Sequence, residues 1–250
     1  MLRLLACVPG TTWERWLCEV TAGHATVEVV ACAGLACELD RGGYAGVIML
    51  LDHRVMPSWE AIRSRLVASH IPVILFTPLA VEPLRLLALE RELRLVALHV
   101  VGFDDHPALL RGSVNRLLSD DILRRLLRHF GADALALEAL VGPLWEQIGS
   151  TRSLEEWARR AGRDLGNLRR DLRSRGIRHP RRFLTWLRLL AAWSRLHAGA
   201  SSSSVAVEVG YSAAPALTRS TRRFLGFTPS AVRSVPLETV IAQAAADLVA

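Results

Sequence analysis

Residues 153–176 read SLEEWARRAGRDLGNLRRDLRSRG, and the placement of their glycines, acids and apolar residues decides the fold of the C-terminal third. Ser153 with Glu156 three residues on is a helix-capping signature. Leu154, Trp157, Ala158 and Ala161 then recur on one face of a short helix, which Gly162 ends. Asp164 is placed to cap a second helix, in which Leu165, Leu168 and Leu172 face inward until Gly176 closes it. Two short helices joined by a tight turn at glycine form a helix-turn-helix, whose second helix offers its first residues to a DNA major groove. On this second helix the outward set is Gly166, Asn167, Arg169, Arg170 and Arg173.

Downstream, a long helix is predicted from about Pro180 to His197. Phe183, Leu184, Trp186, Leu187, Leu190, Trp193 and Leu196 surround most of it, as in a helix central to its domain. Gly199 and Ser201–Ser204 read as its end and a short loop. The first pattern then recurs: Val205 to Val209, Gly210-Tyr211-Ser212 with Ser212 as the expected cap, and a helix from Ala213 to Leu225. Gly226-Phe227-Thr228-Pro229-Ser230 and Arg233 close the unit.

Gly210-Tyr211-Ser212, Leu217, Arg219, Arg222, Arg223, Phe224, Gly226, Thr228-Pro229-Ser230 and Arg233 stand in the order and spacing of the AraC/XylS signature. Ala158, Gly162, Leu168, Arg170, Leu172 and Gly176 occupy the pattern positions of its first unit. Residues 150–235 therefore resemble the double helix-turn-helix DNA-binding domain of AraC/XylS-type transcriptional regulators. Thr221 departs from the pattern, standing where the family usually buries an aromatic, and so does Pro215, which only the first turn of a helix tolerates. The resemblance implies base contacts at the positions held here by Gly166, Arg169, Arg170, Ala214, Pro215, Thr218 and Arg219. Asn167, Arg169, Arg170, Thr218 and Arg219 are the expected hydrogen-bonding base contacts. Arg173, Arg222 and Arg223 are the expected backbone contacts, since phosphate needs only charge where a base needs directed donors.

The N-terminal half alternates apolar runs with helical stretches. Leu2–Val8, Val27–Ala33, Gly46–Leu51, Ile71–Phe76 and Leu95–Val101 are the expected strands, nearly continuous in Val, Ile and Leu as strands buried on both faces are. Trp13, Trp16, Leu17 and Val20 mark one helix, and Trp59, Ile62 and Leu66 another with Ser58 as its cap. Pro83 and Pro107 suit the first turns of two more. Such alternation implies an α/β domain, a parallel sheet with helices on both faces. The stretch Leu50-Leu51-Asp52-His53-Arg54-Val55-Met56-Pro57 and the strand end at Thr77 resemble the phosphoacceptor strand and switch hydroxyl of response-regulator receivers, the fold of CheY. Three departures matter. Ala6-Cys7-Val8-Pro9 replaces the acidic pair that holds Mg²⁺, Gly102-Phe103-Asp104 replaces the lysine, and Asp52 to Pro57 is one residue too long. Asp52 and Thr77 are thus degenerate receiver positions, and residues 1–118 read as a pseudo-receiver. Residues 119–149 read as a helical linker and candidate dimerisation element. Asp120 and Asp121 open its first helix, Gly142-Pro143 interrupt its second, and Gly149-Ser150-Thr151 form the boundary before 150–235. Residues 236–250 read as a tail.

Charge follows the same division. The 31 basic residues are all arginine. Residues 1–118 carry 11 Arg and 12 acidic groups, while 150–235 carry 17 Arg against 5, a net of +12 that marks a nucleic-acid-binding module. Half the residues are apolar, but no run reaches the length of a membrane span. The N-terminal nine residues read as a strand, so a cytoplasmic protein without a membrane partner is expected. Cys7, Cys18, Cys32 and Cys37 make no CxxC pair and have no histidine at zinc spacing, so free thiols are expected, with Cys7 and Cys32 on neighbouring strands as the candidate redox pair. No cofactor or metal and no catalysis are expected. The expected partner is double-stranded DNA, with RNA polymerase and a second copy of the chain as further candidates. Three rival readings stand beside this one: a true phosphorylation-controlled response regulator, an enzyme or metal protein in the α/β half, for which the sequence has neither a Gly-rich phosphate loop nor a His/Cys cluster, and a regulator acting through protein contacts only. Phosphoryl transfer to a carboxylate needs a metal and cations against the developing charge, so incubation with acetyl phosphate and Mg²⁺ should leave the intact mass unchanged. A phosphoryl adduct lost in Asp52→Ala would overturn the pseudo-receiver reading.

Overall fold

The computed structural model describes residues 2–22, 25–51, 58–78, 92–131 and 134–249. Asp52, His53, Met56-Pro57 and the helix expected at Pro83 lie outside them. The chain divides into two compact units, Met1–Leu118 and Ser119–Ala250.

The first unit is an α/β layer structure. Strands β1 (Leu2–Cys7), β2 (Ala25–Val29), β3 (Gly46–Leu50), β4 (Val73–Thr77) and β5 (Leu95–Val100) form one sheet in the order β2-β1-β3-β4-β5. Every neighbouring pair is parallel. This is the doubly wound order shared by flavodoxin-like proteins and CheY, as the alternation of elements implies. The side-chain period of two sends alternate residues to opposite faces. Leu4, Ala6, Ile48, Leu50, Ile74 and Phe76 pack on one face with Leu17 and Val20 of α1 (Gly10–Thr21) and with Leu110, Val114 and Leu117 of α4 (Pro107–Leu127). Leu5, Cys7, Val47, Met49, Val73 and Leu75 pack on the other with Leu35 and Leu39 of α2 (Cys32–Arg41) and with Ile62 and Leu66 of α3 (Trp59–Ser69). β3 and β4 are buried throughout, which explains their unbroken apolar runs.

Several boundaries differ from expectation. The second strand ends at Val29, and Cys32 begins α2, so Cys7 and Cys32 do not lie on neighbouring strands; none of the four cysteines is in a disulfide. β4 begins after Pro72, whose missing N–H cannot join a ladder although its carbonyl accepts from Val47 N at 2.9 Å. Ser58 occupies the N-cap of α3 without a side-chain capping bond. Thr77, the switch-hydroxyl position, ends β4 buried, its hydroxyl donating to Pro78 O at 3.2 Å. His99 of β5 is buried against Phe76, with ring centroids 4.9 Å apart, and hydrogen-bonds Ser113 Oγ at 3.0 Å; burial lowers its pKa.

The second unit is all helical: α5 (Ala134–Glu146), α6 (Leu154–Arg160), α7 (Leu165–Ser174), α8 (Pro180–His197), α9 (Ser202–Glu208), α10 (Ala214–Leu225), α11 (Pro229–Val232) and α12 (Leu237–Val249), with the C-terminal end of α4. One core joins Ile122, Leu126 and Leu127 of α4, Leu140, Val141 and Leu144 of α5, the helices of both repeats, and Val240, Ile241 and Leu248 of α12. Asp120 and Asp121 do not start a helix. They lie inside α4, where the Asp121 carboxylate accepts from Arg125 Nε one turn on at 2.6 Å. Pro143 does not interrupt α5. It removes one backbone bond near the helix end, and Val141, Leu144 and Trp145 are buried around it. Ser202–Ser204 form the first turn of α9 rather than a loop, because Ser201 caps it by accepting from Ser204 N at 3.1 Å. The tail expected after residue 235 is α12, with Leu237, Val240, Ile241, Ala244, Ala245 and Leu248 buried. Trp186 Nε1 donates to Asp247 Oδ2 at 2.8 Å and fastens it to α8.

Gly149 sits in a turn pressed against the end of α9, where a Cβ would fall 2.0 Å from Glu208 O. Backbone cannot yield as a flexible side chain can, so Gly149→Ala should lower unfolding free energy in a denaturant titration by roughly 1–3 kcal/mol. Gly112 lies inside α4 with open space around it, and Gly112→Ala should raise stability by roughly 0.5–1 kcal/mol.

Candidate nucleic-acid interface

Each repeat of the second unit places one amphipathic helix with a basic outer face. In the first, the Ser153 hydroxyl accepts from Glu156 N at 3.2 Å to start α6. The Asp164 carboxylate accepts from Gly166 N at 2.7 Å and Asn167 N at 3.2 Å to start α7. Gly162, at φ 61°, makes the tight turn between them, and Gly176, at φ 87°, follows α7. Leu168 and Leu172 are fully buried, which turns Gly166, Asn167, Arg170 and Arg173 outward. Arg169 is half-buried, 3.6 Å from Glu155 of α6. Arg170 Nη1 donates to Asn167 Oδ1 at 3.0 Å. That bond uses one lone pair of the amide oxygen and leaves the amide NH₂ beside the guanidinium, so donors dominate this pair.

In the second repeat Leu217, Thr221 and Leu225 of α10 point inward, and Pro215, Arg219, Arg222 and Arg223 are exposed. The N-cap is Ala213, not the expected Ser212, and it has no side-chain capping bond. Pro215 stands in the first turn, where its absent N–H costs nothing because helix N-termini lack carbonyl partners. Thr221, the departure from the aromatic pattern, is buried with its hydroxyl donating to Thr218 O at 3.1 Å. Thr218 is half-exposed and its hydroxyl donates to Ala214 O at 3.0 Å. Gly226 ends α10 in the left-handed conformation, φ 78°.

The two repeats meet across α8. Arg188 Nη2 donates to Thr151 O at 2.6 Å ahead of the first repeat, and its guanidinium lies 6.0 Å from the Tyr211 ring in the second. Burial lowers the Arg188 pKa and raises that of Tyr211, whose hydroxyl donates to Ser220 Oγ at 2.8 Å. Sequence reasoning did not find Arg188, nor Gln243 of α12, whose Nε2 donates to Phe224 O at 2.8 Å and covers an end carbonyl of α10. For Gln243 the available signal was the helical spacing of Leu237, Val240, Ile241, Ala244 and Leu248 around it.

Residues 157–234 match the family model of a helix-turn-helix domain. The match supports the resemblance to AraC-type regulators over this segment and makes the chain a DNA-binding transcriptional regulator. The helix-turn-helix domain proper thus begins inside α6 and ends after α11, while α5 and α12 complete its core from outside the matched segment. No curated protein matches the chain. Among the described residues no helix is long and apolar enough to cross a membrane, and no group of three or more His, Cys, Asp and Glu could hold a metal ion.

The Asp164 cap positions the first turn of α7, which holds Asn167 and leads into the second turn with Arg170. Asp164→Ala should cost about 1 kcal/mol of stability and weaken DNA binding beyond what Ser174→Ala does at the far end of the same helix. Equal affinities for the two variants would detach the cap from the interface.

Proposed function

We propose that the protein is a non-catalytic, sequence-specific DNA-binding transcription factor of the cytoplasm, whose first helix-turn-helix carries hydrogen-bonded base readout while the second holds the phosphate backbone. The observation that carries this reading is the contrast between the two exposed faces. On α7, Asn167 and Arg170 form a donor-rich pair near the helix start, with Arg169 beside them. Guanine, which shows two acceptors in the major groove, is the base such donors match. On α10 the side chains at the start are Ala214, Pro215 and Ala216, which donate no hydrogen bond, and the charge lies further on at Arg219, Arg222 and Arg223. Arg173 serves the backbone beside α7. At 1.5 Å per residue the 18 residues of α8 span about 27 Å, a length suited to heads in successive major grooves about 34 Å apart.

The sheet domain supplies the input as a receiver-like scaffold that works without phosphorylation. What supports this is its fold together with the Ala6-Cys7-Val8-Pro9 stretch in place of an acidic metal-binding pair. RNA polymerase and a second copy of the chain are the further partners of such a factor.

Binding should be steeply salt-dependent, because neutralised phosphates release counterions. Arg170→Ala should relax base preference in one half of a selected site. Arg222→Ala should weaken all sequences alike and reduce the salt slope by about one. Fluorescence anisotropy on selected and scrambled duplexes decides it. No affinity at low salt would overturn the DNA-binding reading, and the reverse pattern between the two variants would overturn the division between the heads.

A further inference from the structure

The major groove offers few kinds of handle: acceptors on guanine, a paired donor and acceptor on adenine, a donor on cytosine, and the methyl group of thymine. The exposed start of α10 lacks the side chains for most of these. From Gly210 to Ser234 there is no Asp or Glu to accept from cytosine, and no Asn or Gln to bracket adenine. Arg219, one turn in, is the exposed group of the guanine-reading kind beside Arg222 and Arg223 nearer the helix end. What the first turn presents instead is apolar. Pro215 is exposed, and Ala214 and Ala216 are half-exposed. Thr218 adds to them, because its hydroxyl donates to Ala214 O at 3.0 Å, inside the helix, so its outward chemistry is dominated by its methyl. The backbone adds no donor at Pro215, and Ala216 N already donates to Ala213 O at 3.0 Å.

We infer that the second head selects thymine through its 5-methyl group, by apolar contact from Ala214, Pro215 and the Thr218 methyl rather than by hydrogen bonds. The inference rests on the DNA-binding reading and deepens it. The first head reads acceptors with donors, and the second adds a methyl-based preference to its hold on the backbone. Such a preference needs close approach of a small-residue surface to the groove floor, which alanine and proline allow and long side chains would block. Arg219, Arg222 and Arg223 on the same exposed face supply the charge that brings α10 against the duplex.

Deoxyuridine replaces thymidine with loss of the methyl and nothing else, so it isolates the contact. A site is first selected by the full-length protein from random duplexes, and each thymidine in it is then replaced singly by deoxyuridine. Burying one methyl-sized group corresponds to about a four-fold change in affinity, and one or more replacements should weaken binding by about that factor. In Thr218→Ser or Pro215→Ser the penalty should vanish at one of those positions, while Arg170→Ala leaves it intact. Retained salt-dependent binding to scrambled duplex shows that each variant is folded. The inference is overturned if no deoxyuridine weakens binding, or if every penalty persists in both variants. If the unmodified protein binds no duplex at low salt, the DNA-binding reading fails first and this inference with it, a result told apart from the others because it appears before any base is modified.

Discussion

The second unit depends on one helix having almost no solvent face. Eleven of the 18 residues of α8 are buried, among them Phe183, Trp186, Leu187, Leu190 and Leu196, so everything else in the unit is arranged around it. Each buried side chain of that size is worth roughly 1.5–3 kcal/mol of transfer from water. No single neighbour can cover a helix on all sides. The two repeats take part of its surface, and α12 takes part of the remainder. The heads therefore hold their relative places because both are pinned to the same rigid element, with no need for extensive contact between them.

Arg188 shows the polar counterpart of that constraint. A guanidinium taken out of water needs partners in fixed positions. Thr151 O and the Tyr211 ring lie on chain segments that approach α8 from opposite repeats. The lowered pKa of Arg188 and the raised pKa of Tyr211 both express burial, so the charge is tolerated here and specifies geometry more than it adds stability. Gly149 and Gly210 belong to the same region. The backbone of one approaches that of the other so closely that a Cβ on Gly210 would meet Gly149 O at 3.0 Å.

Much of this architecture was legible in the residues, and the failures have physical causes. The buried strands announced themselves because central strands of a parallel sheet carry apolar residues on both faces, as Val47 to Leu50 and Val73 to Phe76 do. The first helix-turn-helix was legible because Ser153 and Asp164 make the capping bonds their positions suggest. Capping chemistry misled elsewhere. Asp120 and Asp121 resemble a helix start, but Asp121 is used within α4 by Arg125. Ser201–Ser204 read as a short loop by composition, yet one serine caps and three enter the helix. The helix α12 passed as a tail because alanines dilute its apolar stripe, and Ala244 acquires meaning only in the core it shares with α8. At the interface, sequence could nominate Asn167 and Arg170 but not their mutual hydrogen bond, nor the inward turn of the Thr218 hydroxyl. Both depend on helix geometry one turn apart.

The participation of α12 in the core sets the terms on which this module could be transplanted. A chimaera built by cutting at residues 157 and 234, where the recognisable domain begins and ends, would strip Val240, Ile241 and Leu248 from one side of the core, and Leu140, Val141 and Leu144 from another. Trp186 would lose Asp247, and α10 would lose the amide that covers Phe224 O. Such a graft carries the reading residues without the surfaces that hold them. The portable piece is the whole of 119–249, and a recipient sensor would have to accept the flanking helices as part of the cargo.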